Sequence, residues 1–145
     1  MSASNAANSF ASFLEKSWKP SDITRVLLVC VRLLLLSRTS LPEKALGVLL
    51  ERQKQLRGEP FDDSGFEAIR KFTRGELDRR VGADDQSAKS AMLNRLLFCA
   101  MLDGEETDVF YLTEPIVEFV RTVAVPSEEL QRILKSEFVG FRTEV

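Results

Sequence analysis

An all-α fold follows from three features of this 145-residue sequence. Apolar residues recur at helical spacing in nearly every segment, capping and stop signals separate those segments, and only one short stretch has strand composition. The expectation is about seven helices in a single domain spanning 1–145, with at most a small β-hairpin. A hydrophobic fraction of 44% and a charged fraction of 29% are ordinary for a chain of this size that buries its own core, so no staple is required.

The small, polar residues 1–8 read as a flexible arm, after which Ser9 caps a short helix carrying Phe10, Phe13 and Leu14. Lys19-Pro20 breaks it, and Trp18 with Pro20 fixes a corner. Ser21 or Asp22 then caps an apolar helix over 23–36. Fourteen residues extend about 21 Å as a helix, short of a hydrocarbon core of about 30 Å. The segment also carries Arg25 and Arg32, so it is expected to be a core helix and not a membrane span. Ser40-Leu41-Pro42-Glu43 is a capping-box signature for the next helix, which Gly58 ends. Leu41, Ala45, Leu46 and Leu49 mark its inner face, and residues 51–55 are largely hydrophilic. These N-terminal helices, within 9–58, should form an antiparallel hairpin.

Capping signals crowd the segment 62–124. Ser64-Gly65-Phe66-Glu67 and Thr73-Arg74-Gly75-Glu76 are two capping boxes nine residues apart, which predicts two short helices. The first carries Phe66, Ile69 and Phe72; the second carries Leu77 and Val81 and stops at Gly82. Asp84 or Asp85 caps a longer helix reaching 102, and Gly104 stops it. Residues 108–113 are aromatic and β-branched and read as the one strand, before Thr113-Glu114-Pro115 starts a helix to about 123. Pro126-Ser127 opens a C-terminal amphipathic helix over 126–142, with a stripe of Leu130, Ile133, Leu134, Phe138 and Phe141. That stripe closes the domain or docks on a partner subunit, so a homo-oligomer or a protein partner is expected.

The residue inventory argues against catalysis. Histidine is absent, which removes the commonest general base and leaves Cys30 and Cys99 without partners for a zinc site or a nucleophile pair. Both cysteines sit in apolar runs and read as buried packing, with a disulfide left open. Asp62-Asp63, Asp84-Asp85 and Glu105-Glu106 lie at loop–helix junctions, where carboxylates cap helices. No Gly-rich phosphate loop or metal-spaced ligand set is legible. The reading is a chain that is not an enzyme, takes no cofactor or metal, does not span a membrane and, lacking a legible secretory signal, resides in the cytoplasm.

The order of a threonine-capped helix 73–81 with Glu76-Leu77 near its start, a glycine turn at Gly82, a longer helix 85–102, an acidic turn at Asp103-Gly104 and a Leu112-Thr113 strand end resembles a winged helix-turn-helix. The resemblance covers about residues 62–124. It implies that the second helix braces across a DNA backbone while the third presents its N-terminal half to the major groove, with residues 103–112 as a short wing. Asp78 stands where that family usually has a small residue, and the wing lacks basic residues. Leu77, Val81, Ala88, Met92 and Leu96 would fix the angle between the two helices.

A helical projection with Ala88, Met92 and Leu96 inward places Ser87, Ser90 and Asn94 outward, where they could meet base edges. Arg74, Arg79 and Arg80 on the bracing helix would meet phosphates. Charge is unevenly spread: residues 1–82 carry 14 basic and 10 acidic side chains, and residues 83–145 carry 6 and 12, so the front is +4 and the back is −6. Two functions follow. The winged resemblance tips the reading towards a transcription regulator binding double-stranded DNA. The acidic isoelectric point of about 5.3 and the neutral reading helix support an interaction or assembly subunit that holds proteins instead.

Overall fold

A computed structural model describes residues 2–17, 19–79, 88–105 and 107–141, with the side chains of 76–79 and 110 outside that description. Its order is α1 (Ala3–Ser17), α2 (Ile23–Leu36), α3 (Glu43–Leu56), α4 (Phe66–Arg79), α5 (Ala88–Ala100), α6 (Val109–Thr122) and α7 (Ser127–Glu137), with 3₁₀ turns at Pro20–Asp22 and Arg38–Ser40. The fold class is all-α, and no strand occurs among the described residues. None of their helices is long and apolar enough to cross a membrane.

Helix α2 is the hub. Val26 to Val31, Leu33 and Leu34 are all buried, because α3, α5, α6 and α7 pack around it. The expected hairpin of α2 and α3 is present, and α2 also packs on α5, so each of these two apolar helices covers the other. Cys30 and Cys99 are both buried free thiols, on α2 and α5. Burial is the main cause that raises both, Cys99 to about 11. One hydrophobic cluster draws side chains from all seven helices.

The stripe on α7 and the residues after it, from Leu130 to Phe141, is buried within the chain. Phe138 and Phe141 meet Phe10 and Phe13 of α1 edge to face, with ring centroids 5.1 to 6.1 Å apart. Such aromatic pairs add about 0.5–1.5 kcal/mol each beyond area burial. Glu137 fastens the same end: its Oε2 lies 3.3 Å from both Arg32 Nη1 and Arg57 Nη2, which joins α7 to α2 and to the residue that follows α3.

Several boundaries differ from the sequence expectation. Helix α1 starts at Ala3, inside the predicted flexible arm, because Ala6 and Ala7 pack without any exposure and Ser2 Oγ accepts the Asn5 N–H at 3.1 Å. The Asp22 carboxylate folds back to the Lys19 N–H at 2.9 Å instead of capping α2. Ser40 closes a 3₁₀ turn, and Pro42 occupies the cap position of α3. Gly58, at φ 75°, provides the left-handed stop as expected. Trp18, Gly82, Asp84 and Asp85 lie outside the described residues.

Two differences matter most. The second capping box does not break the chain: α4 runs through Thr73, whose Oγ1 donates backwards to the carbonyls of Ile69 (2.9 Å) and Arg70 (3.0 Å). A mid-helix threonine satisfied this way has no need to cap. The predicted strand is the first turn and a half of α6, where Asp108 Oδ1 accepts the Tyr111 N–H at 2.8 Å. Val109, Leu112, Ile116, Phe119 and Val120 are all buried, at helical spacing that continues past Pro115. Helical burial on α1, α2 and α5 outweighs both strand composition and the hydrogen bond that a proline removes. The described residues of the wing proposed for 103–112 form no strand, those from Val109 onward belonging to α6, and Thr73 is interior to a helix.

Leu97, only 2% exposed and in the cluster shared by all seven helices, makes the packing testable. Leu97→Asp buries a carboxylate without a partner and should abolish cooperative thermal unfolding. A folded Leu97→Asp protein with near-native circular dichroism would contradict the packing of α5.

Candidate functional site

Helix α4 places Glu67, Arg70, Lys71 and Arg74 along one stripe, at i, i+3, i+4 and i+7. Facing them, the end of α5 and the residues after it supply Phe98, Met101, Leu102 and Asp103. Together they line a groove of about 310 Å³. Its floor is apolar and its rim is charged.

Two arginines set the width of this groove. The Arg52 side chain, on α3, leaves its residue only 5% exposed. Its Nε donates to the Ala100 carbonyl at 3.0 Å, its Nη2 to the Leu102 carbonyl at 2.6 Å and its Nη1 to Gln55 Oε1. Arg70 Nε, on α4, donates to the carbonyl between them, that of Met101, at 2.9 Å. Three successive carbonyls at the negative end of α5 thus meet two guanidinium groups, a favourable arrangement for groups that no longer have helical partners. Burial, followed by the nearby Arg70 cation, pulls Arg52 down to about 10, so it stays charged at neutral pH.

Most charges in the groove are already matched. Arg70 Nη1 lies 4.0 Å from Glu67 Oε2, and Asp103 Oδ1 accepts the Glu105 N–H at 3.0 Å. Lys71 and Arg74 have no hydrogen bond or ion pair among the described residues. The unmatched charge of the groove is positive and lies at the Arg74 end.

A second groove, of about 170 Å³, runs along the other flank of the α4–α5 pair and is lined by Ser40, Leu41, Pro42, Phe72, Ser90, Leu93, Asn94 and Leu97. The Phe72 ring stands 47% exposed at its edge. Asn94 is 8% exposed, and its Nδ2 donates to the Thr73 carbonyl at 3.0 Å, which joins α5 to α4.

The predicted base-reading and phosphate residues are thus distributed as follows. Arg74 is exposed and lines the basic groove; Ser90 is exposed and lines the apolar groove on the other flank. Asn94, projected outward, is instead turned inward onto Thr73. The Arg79 side chain, Arg80 and Ser87 lie outside the described residues. The projection erred because α5 has no single inner face. With α2, α4 and α6 around it, its first turn is exposed, Ala88 included, while Met92 is half-buried and Leu93, Asn94, Leu96 and Leu97 are buried.

Sequence reading missed Arg52, Arg70 and Lys71. Arg52 follows Ala45 and Leu49 at helical spacing, so the inner stripe of α3 ends in a guanidinium, a signal hidden by the hydrophilic run around it. The apparent break at Thr73 concealed the other two by assigning Arg70 and Lys71 to a different helix from Arg74. Among the acidic pairs expected to cap helices, Asp62 instead closes a turn ahead of α4: its Oδ1 accepts the Ser64 N–H at 2.9 Å, which holds this carboxyl below its usual range. No group of three or more His, Cys, Asp or Glu side chains among the described residues could hold a metal ion. Comparison with protein families, curated proteins and solved structures found no match to this chain.

The arginine latch and the Asn94 contact can be tested through stability. Arg52→Met keeps the aliphatic packing but strands the Ala100 and Leu102 carbonyls, and should lower unfolding free energy by about 2–4 kcal/mol in urea titrations. Asn94→Ala should lower it by about 1–3 kcal/mol. An unchanged midpoint for either variant would remove that contact from the account.

Proposed function

We propose that this chain is a non-enzymatic interaction module that holds a protein partner on the face formed by α4 and α5. One observation carries the reading. This face combines half-buried apolar side chains at Phe98 and Leu102, and the exposed Phe72 on its other flank, with two cations, Lys71 and Arg74, that have no partner among the described residues. Apolar patches rimmed by polar groups are typical of protein contact sites. The acidic isoelectric point of about 5.3 adds support, as does the commitment of Asn94 to Thr73, which leaves the side chain best suited to adenine engaged inside the fold.

A second reading, a DNA-binding regulator, is favoured by the stripe Arg70, Lys71 and Arg74, which could lie along a phosphate backbone. The two readings differ in what the stripe should do with salt.

Affinity capture from nuclease-treated extract of the source cells, run beside gel shifts on fragmented genomic DNA, separates them. The expected outcome is a protein partner, identified by mass spectrometry, that rebinds as a purified component and is released by Phe72→Glu combined with Arg74→Glu. DNA should bind weakly, without sequence preference. Tight DNA binding would overturn the proposal if its log affinity fell with log salt and each arginine removed reduced that slope by about 0.9.

A further inference from the structure

The groove between α4 and the end of α5 is selective in both shape and charge. Its charged stripe from Glu67 to Arg74 covers seven residue steps, about 10 Å along the helix axis, which matches two turns of a docked helix. Phe98 and Leu102, both half-buried, and the buried Met101 form its floor. Glu67 and Asp103 lie at one end, and Lys71 and Arg74 extend to the other. Glu67 pairs with Arg70 and Asp103 accepts a backbone N–H, and the two acids against the three cations Arg70, Lys71 and Arg74 leave the described rim with one net positive charge over an apolar floor.

We infer that this groove binds an acidic amphipathic helical segment of a partner protein. The segment would lay apolar side chains on Phe98 and Leu102 and aim carboxylates one turn apart at Lys71 and Arg74. The inference rests on the protein-binding reading above and specifies the chemistry of the partner. Helices lying in hydrophobic grooves are anchored by residues at i, i+3, i+4 and i+7, and this groove is long enough for two or three such anchors. Charge on its rim sets approach rate and partner choice, while the floor supplies desolvated contact. A phosphate backbone fits less well, because its charge is continuous and must pass Glu67 and Asp103 at one end, whereas a helix can place its carboxylates only at the Lys71 and Arg74 end.

The test is fluorescence anisotropy with the full chain and three labelled helical peptides. The first carries leucines at i, i+3 and i+7 flanked by glutamates, the second has the glutamates replaced by lysines, and the third keeps the glutamates but has serine in place of leucine. The first peptide is expected to bind at least about tenfold more tightly than either of the others. K71E/R74E changes two exposed side chains of a folded helix, and it should weaken the first peptide by about tenfold or more and strengthen the lysine peptide. Equal binding of the leucine and serine peptides would overturn the inference by reducing the groove to a site for bulk negative charge. So would indifference of the first peptide to K71E/R74E, or stronger binding of a DNA oligonucleotide that displaces it. Failure of all the peptides, with the captured partner still released by Phe72→Glu and Arg74→Glu, would refute the groove inference and leave the protein-binding reading intact. Failure of both experiments would refute both.

Discussion

The guanidinium of Arg52 holds the end of α5 in place, and every surface around α4 depends on that hold. A helix that ends inside a fold leaves carbonyls that must find donors, and burying them unpaired costs about 1–3 kcal/mol each. Here α3 and α4 each send an arginine to the same three-residue end, so one electrostatic need fixes the spacing of three helices. Lysine could not substitute, because a single ammonium cannot present a planar fork to two carbonyls two residues apart. The groove beside α4 is a consequence. Arg70 contributes to both structures, with its Nε on the Met101 carbonyl and the rest of its guanidinium at the rim.

The opposite side of the molecule is held by different means. Edge-to-face phenylalanines lock α1 to the end of α7, and Glu137 draws arginines from α2 and from the end of α3 onto one carboxylate. This accounts for the stripe Leu130 to Phe141, which sequence alone left free to meet a partner subunit. Exposed surface is left instead on α4, which packs mainly on α5 and more lightly on α3. Peripheral helices of this kind can change their exposed residues at little cost to the core.

Much of the architecture could be read from the residues. The span of α2 was legible because fourteen nearly unbroken apolar residues leave no alternative, and the stop of α3 because Gly58 adopts a conformation that other residues avoid. Errors occurred where a short-range rule met a longer-range demand. Thr73 and Glu76 have the spacing of a cap, yet the threonine hydroxyl bonds its own helix. Residues 108–113 have the composition of a strand, yet their apolar positions continue in helical register through Pro115. The candidate site suffered most, because Arg52, Arg70 and Lys71 look like surface charge until the end of α5 is placed against them.

The sequence by itself determined the helical class, the order of most elements, the buried cysteines and the absence of histidine chemistry, since each depends on local periodicity or on residue type. Only the tertiary structure decided that residues 66–79 form one helix, that Asn94 faces inward and that Phe138 and Phe141 close on α1. It alone placed Lys71 and Arg74, without partners among the described residues, beside Phe98 and Leu102. For Asn94, Lys71 and Arg74 the physical reason is shared. Whether a polar group caps, bonds internally or remains free depends on which donors and carbonyls lie within about 3 Å of it, and those come from helices distant in the chain.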